Sequence, residues 1–278
     1  MKDHGYYGPG SATWKIASEA VINLGGTRAV LMQIAHPLVA MGVSEHSSYM
    51  ADPFGRAKHT FILGQMLTFG SISTAHDAAR TINRLHTHVH GKLPDAAGSY
   101  SSGTHYRASD PELLLWVFAT LIDTILYTYP IFIGPLSLQE QEQYYQESKT
   151  LGHLLGLSQE DMPGKVQDLR HYVSEMVHSD HLAATPQSRQ LAQQVLFPRT
   201  PAFLRPLLHV NALVTSALLP QPIREIYGME WSPRQQRAFE LSMRGLRTVV
   251  PRLPLSLRLL PITQRLMRQG VLGEQKSG

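Results

Sequence analysis

The stretch LLLWVFATLIDTILYTYPIFI, residues 113–133, decides the fold. At 21 residues it is nearly long enough to cross a bilayer as a helix. Asp123 sits in its middle, however, and an unpaired carboxylate at that depth costs about 2.5–3.5 kcal/mol on insertion scales. Pro130 is expected to end the helix early. The stretch therefore reads as a buried central helix, with Asp123 paired inside a bundle.

Working outward from it, period-2 alternation is almost absent, while apolar residues recur at three- and four-residue spacing through most of the chain. The expected fold is all-α. Ser109 with Glu112, Ser137 with Glu140, and Ser232 with Gln235 are spaced like capping boxes and mark helix starts. Gly70, Gly91 and Gly156 mark helix ends. A long connection dense in turn formers runs from Gly91 to about Ala108 and carries Tyr100, His105 and Tyr106; loops of that length inside a domain are often functional. At roughly 150 residues per domain, 278 residues allow two domains or one large one. No repeat divides the chain, so the expectation is a single all-α domain over 1–278, with a core from about 12 to 251 and a basic C-terminal segment, 252–278, of which 274–278 is expected to be disordered.

Cysteine is absent, which excludes disulfides, thiolate zinc sites, iron–sulfur clusters, a cysteine nucleophile and cysteine-ligated haem. Any metal must be held by His, Tyr, Met or carboxylate. The N-terminus has no apolar run after Lys2 and no cleavage pattern, so the expected compartment is cytoplasmic. Only 17% of residues are charged, too few for a disordered tail or a solvated coiled coil. The net charge of +4 is uneven: nine arginines lie between 221 and 270 against Glu225, Glu230 and Glu240. Such a segment suits solvated helix faces or an anionic partner.

Eight of the 14 histidines (36, 46, 59, 76, 86, 88, 90 and 105) fall between His36 and His105. Enrichment without cysteine points first to metal or haem binding. If 74–90 is one helix, its apolar stripe is Ala78, Ile82, Leu85 and Val89; His86 then lies inside the stripe, His90 on its edge and His88 opposite. A buried imidazole must use both ring nitrogens, and iron on one with a carbonyl or carboxylate on the other achieves that. On the preceding helix Arg56, His59, Thr60, Leu63 and Leu67 share a face. If Arg56 is buried it needs an anion, while His59 and Thr60 could donate to a bound oxygen ligand; the alternative is a surface pair of Arg56 with Asp52. Zincin, Walker, Rossmann and nucleophile-elbow signatures are missing, and Glu-x-x-His pairs for a di-iron site are lacking in the histidine-rich half. His171, Glu175 and His178 share a face and leave a small metal site open.

Three stretches together resemble the MpaB and latex-clearing-protein (rubber oxygenase) family of helical b-type haem proteins. They are LMQIAHPLVAMGVSEHS (31–47), continuing through DPFGR (52–56) to Thr60; LHTHVHG (85–91), a His-x-x-Val-x-Gly pattern; and YRASDPELLLWV (106–117), extending to Asp123. The resemblance implies a helical domain enclosing haem b, with His86 as the proximal iron ligand. It further implies that Arg56 and Thr60 lie on the opposite side of the haem. His59 departs from the family, whose latex-clearing members carry lysine there; a histidine could be a sixth iron ligand or an acid–base group. The implied activity is that of a haem-dependent oxygenase using dioxygen on an apolar, isoprenoid or natural-product-like substrate, including oxidative cleavage of carbon–carbon double bonds. His86 would hold the iron; Arg56, His59 and Thr60 would act on the oxygen species; and these residues with His90 would contact the cofactor. His36, His46, Tyr106 and Asp110 are motif positions without an assigned role, with His36 and Asp110 fitting caps or loop locks.

Two other readings fit the same residues. One is a carrier or sensor in which His86 and His59 both bind iron; the other is a haem enzyme that uses peroxide or performs no net oxidation. The mixture of Leu and Arg over 253–268 suits packing against the bundle first, and weak peripheral contact with an anionic membrane as the alternative. No recognised nucleic-acid module accompanies the basic run, so no nucleic-acid partner is expected.

Overall fold

The computed structural model describes residues 5–46 and 53–272. It is all-α apart from two three-residue strands. The helices are α1 (Ala12–Ala17), α2 (Gly26–Ile34), α3 (Pro37–His46), α4 (Pro53–Phe69), α5 (Ile72–Thr87), α6 (Pro111–Phe132), α7 (Leu138–Leu154) and α8 (Val166–His178), followed by α9 (Pro186–Leu196), α10 (Arg205–Leu218), α11 (Gln221–Ile226), α12 (Pro233–Val249), α13 (Leu255–Arg258) and α14 (Pro261–Leu272). The strands β1 (His90–Lys92) and β2 (His105–Arg107) form an antiparallel hairpin between α5 and α6.

Helix α6 is the axis of the bundle. It packs against α2, α7, α8 and α12, and Trp116, Phe118, Ile122, Leu126 and Phe132 are buried along it. It is long and apolar enough to cross a membrane, yet most of that length is buried in protein. Asp123 is paired as expected: Arg28 Nη2 donates to its Oδ2 at 2.7 Å, Arg28 Nε donates to the Leu218 carbonyl at 2.9 Å, and Nη1 reaches Thr124. The guanidinium is buried, so its charge depends on this partner set. Trp116 Nε1 donates to the Met32 carbonyl at 3.2 Å, fastening α6 to α2.

Pro130 lies inside α6 and does not end it. A proline in the last turn removes one backbone donor, but the next N–H groups still reach back, as Ile133 N to Tyr129 O at 2.9 Å shows. The capping boxes at Ser137 and Ser232 are present. At α6 the cap residue is Asp110 and not Ser109; its carboxylate is turned outward to the Arg107 N–H at 2.8 Å.

Helices α4 and α5 form a hairpin against one flank. Gly70 makes the turn, where a Cβ would come within 2.4 Å of the Met66 carbonyl oxygen. Leu63 and Leu67 of α4 pack on Ala78 and Ala79 of α5. The basic C-terminal segment is part of the bundle as far as it is described: Thr263 of α14 bonds Gln65 of α4, and Arg258 pairs with the buried Glu19. Residues 273–278 lie outside the described residues.

Candidate functional site

The α4–α5 hairpin brings three of the candidate residues into one neighbourhood. The buried face of α5 is Ala75, Ala78 and Ala79, with Ile82, Asn83 and His86 half-buried in continuation, while Leu85 is exposed. His86 thus faces inward, on a stripe rotated from the one its apolar neighbours suggested. Burial, followed by the positive charge of Arg56, lowers its pKa below the ordinary imidazole value. Both influences favour the neutral imidazole, the form that ligates a metal. Among the described residues it has no hydrogen-bond partner.

Arg56, in the first turns of α4, is half-buried, and its Nη1 donates to Thr60 Oγ1 at 3.1 Å. The two side chains lie one turn apart, so the helix itself sets their spacing. His59 and Thr60 are exposed, in contrast to Leu63 and Leu67 on the same face. The face is inward only where α5 covers it. Asp52, the alternative partner of Arg56, lies outside the described residues, as does Ser47 of the first motif.

His90 is not on α5. The helix closes at Thr87, where the His88 and Val89 N–H groups bond the Leu85 and His86 carbonyls at 3.1 Å, and the chain passes into β1. Gly91 therefore marks a strand and not a helix end, and the connection from 91 to 108 is a hairpin in the register His90↔Arg107, Gly91↔Tyr106 and Lys92↔His105. His90 is exposed, its ring 6.2 Å from that of His46.

The unassigned motif residues hold this hairpin in place. His46 Nε2 donates to the His90 carbonyl at 3.0 Å, and the Tyr106 hydroxyl donates to Glu45 of α3. His36 is buried, with Nε2 3.0 Å from the Tyr100 hydroxyl, which also lies 3.1 Å from His181 Nδ1. Burial and the neighbouring His181 push the His36 pKa down to about 4. Gly98, at φ +56°, lets the loop tip lie against the Asp180 carbonyl, to which the Ser99 N–H donates at 2.9 Å.

The His171, Glu175 and His178 face of α8 does not close into a metal site. His171 and Glu175 approach to 3.1 Å, but His178 turns to the Ser174 carbonyl at 2.8 Å. Among the described residues no group of three His, Cys, Asp or Glu could hold an ion.

The half-buried ring of His86 fits a haem ligand. One turn before it, Asn83 Nδ2 donates to the Leu154 carbonyl at 2.9 Å, while Asn83 Oδ1 is buried without a hydrogen-bond partner among the described residues. Among the described residues, an imidazole ring without a hydrogen-bond partner and within reach of the Arg56 charge would suit an iron ligand with an anionic cofactor.

Residues 14–248 match the family model described as ER-bound oxygenase mpaB/B'/Rubber oxygenase, catalytic domain. The chain is similar to the uncharacterized proteins Rv2237 of Mycobacterium tuberculosis and Mb2261 of Mycobacterium bovis, at 29% identity over 223 residues, which is 78% of this chain and 84% of each relative. Its fold is similar to that of latex clearing protein LCP in the closed state, with TM-score 0.61 and 18% identity over 97% of this chain and 77% of that one.

Proposed function

This chain belongs to the mpaB and rubber oxygenase catalytic-domain family, and from that premise we propose that it is a haem b-dependent oxygenase that uses dioxygen on an apolar small molecule. The single observation that carries the reading is the placement of His86: half-buried on the inner side of α5, its ring without a hydrogen-bond partner among the described residues, with burial and then the Arg56 charge lowering its pKa. Haem b, when bound, supplies a redox-active iron that side chains alone cannot provide.

The chain's own residues do the rest. His86 would offer one ring nitrogen to the iron, and Asn83, one turn before it on α5, carries a buried carbonyl oxygen without a hydrogen-bond partner among the described residues. Arg56 keeps a fixed positive charge that compensates a carboxylate or a developing anion. Thr60 holds the guanidinium in place and presents a hydroxyl in the same turn. His59, exposed beside it, is available to donate or take a proton. We assign the substrate to the isoprenoid or natural-product-like class and the reaction to oxidative cleavage of a carbon–carbon double bond.

Turnover under 18O-labelled dioxygen tests the proposal. An unsaturated isoprenoid chain incubated with haem-loaded protein is expected to give carbonyl products carrying the label. Unlabelled products, or turnover that proceeds under argon with peroxide alone, would contradict an oxygenase.

A further inference from the structure

The first half of α10 and its neighbour α12 carry several of the molecule's exposed apolar side chains together with exposed arginines. Phe203, immediately before α10, and Leu207 and Val210 within it follow a four- and three-residue spacing, so they share a side of the helix. Phe203 is 77% exposed and Leu207 63%. Farther along the same side Val214 and Ala217 turn into the core, so only the first half of α10 projects. Helix α12 packs against α10 and turns one half-buried stripe, Phe239, Met243 and Leu246, toward the bundle. Its outer face carries Arg234, Arg237 and Arg244 around Leu241, which is 65% exposed. Arg199, Arg205 and Arg247 are also exposed on these elements and their flanks. Among the described residues none of these six arginines is paired with a carboxylate.

The combination selects its occupant. A second copy related by a twofold axis would press arginine against arginine. A nucleic acid would satisfy the arginines but leave Phe203 and Leu207 in water. A bilayer surface with anionic headgroups accommodates both: phosphate oxygens accept from guanidinium groups at the depth where aromatic and leucine side chains enter the acyl boundary. We propose that the projecting half of α10 and the outer face of α12 form a docking surface for an anionic bilayer. Phe203, Leu207 and Val210 enter it, and Arg234, Arg237 and Arg244 hold it electrostatically. This surface is separate from the His86 site, and the inference stands whatever reaction occurs there.

Co-sedimentation of the full chain with vesicles tests it, using phosphatidylcholine alone against an equal mixture of phosphatidylcholine and phosphatidylglycerol. Binding is expected only to the mixed vesicles and is expected to fall with added salt. R237Q/R244Q and F203S/L207S should each weaken it about tenfold or more. All altered side chains are exposed, so helical circular dichroism and melting temperature should be retained. Absence of binding to the mixed vesicles, equal binding to both kinds, or full binding by both variants would overturn the proposal. So would light scattering that shows a dimer which F203S/L207S converts to monomer, because the face would then belong to a second copy.

Discussion

The carboxylate of Asp123 was legible as a buried, paired group from its position in an apolar run, but its partner was not. Arg28 lies 95 residues earlier in the chain, and no local pattern connects them. Removing the guanidinium leaves that carboxylate without its counter-charge, so Arg28→Ala should cost about 3–5 kcal/mol, read as a fall in the urea midpoint. His36 shows the same limit: its place before Pro37 fits a cap or a loop lock, and its ring does hold the loop through Tyr100, a partner 64 residues away that no local pattern names. With a folded pKa of about 4 against an ordinary 6.5, the unfolded chain takes up a proton first as pH falls. Stability should therefore drop between about pH 6.5 and 4 by roughly 3 kcal/mol and level off below, and His36→Gln should flatten that slope in urea midpoints measured against pH. His59, exposed on α4, is expected to be dispensable for cofactor retention, so His59→Ala should keep the Soret band. Its loss would instead favour a bis-histidine carrier.

The long helices were readable because their apolar spacing and caps are local. Ser137 and Ser232 carry the boxes their sequences announce, and α6 runs where its apolar run lies. What the periodicity missed is the β1–β2 hairpin. Three-residue strands are too short to alternate visibly, and their pairing depends on α3, where Glu45 and His46 reach Tyr106 and the His90 carbonyl. That hairpin ends α5 at Thr87 and carries His90 off the helix. Its tip is fastened through Gly98, where a Cβ would lie 2.0 Å from the Asp180 oxygen at positive φ. Gly98→Ala should thus cost about 1–3 kcal/mol. Hydrogen exchange should show faster opening of residues 98–106 and unchanged protection in α6; uniform protection in both would contradict that attachment.

Across the whole molecule, family and fold agree with the three motifs, and what was legible of the candidate site is the placement set by helix geometry: His86 inward on α5 and Arg56 with Thr60 one turn apart on α4. Their approach to one another is a property of the α4–α5 hairpin and the Gly70 turn. The C-terminal segment packs on the bundle, one of the two placements its Leu and Arg mixture allows, and Arg258 pairs with buried Glu19, so Arg258→Ala should cost roughly 3 kcal/mol in thermal or urea unfolding. Leu255 and Leu257 of that segment nevertheless stay exposed, and the proposed docking surface on α10 and α12 was not legible, because exposure is decided by what packs on a helix and not by its composition. The central claim is that His86 holds haem iron, and the visible spectrum of haem-reconstituted wild type and His86→Ala, oxidised, reduced and with carbon monoxide, tests it most directly. A Soret band that shifts with carbon monoxide in wild type and is lost in His86→Ala is the expected result; identical spectra for the two proteins, or no Soret band in wild type, would contradict it.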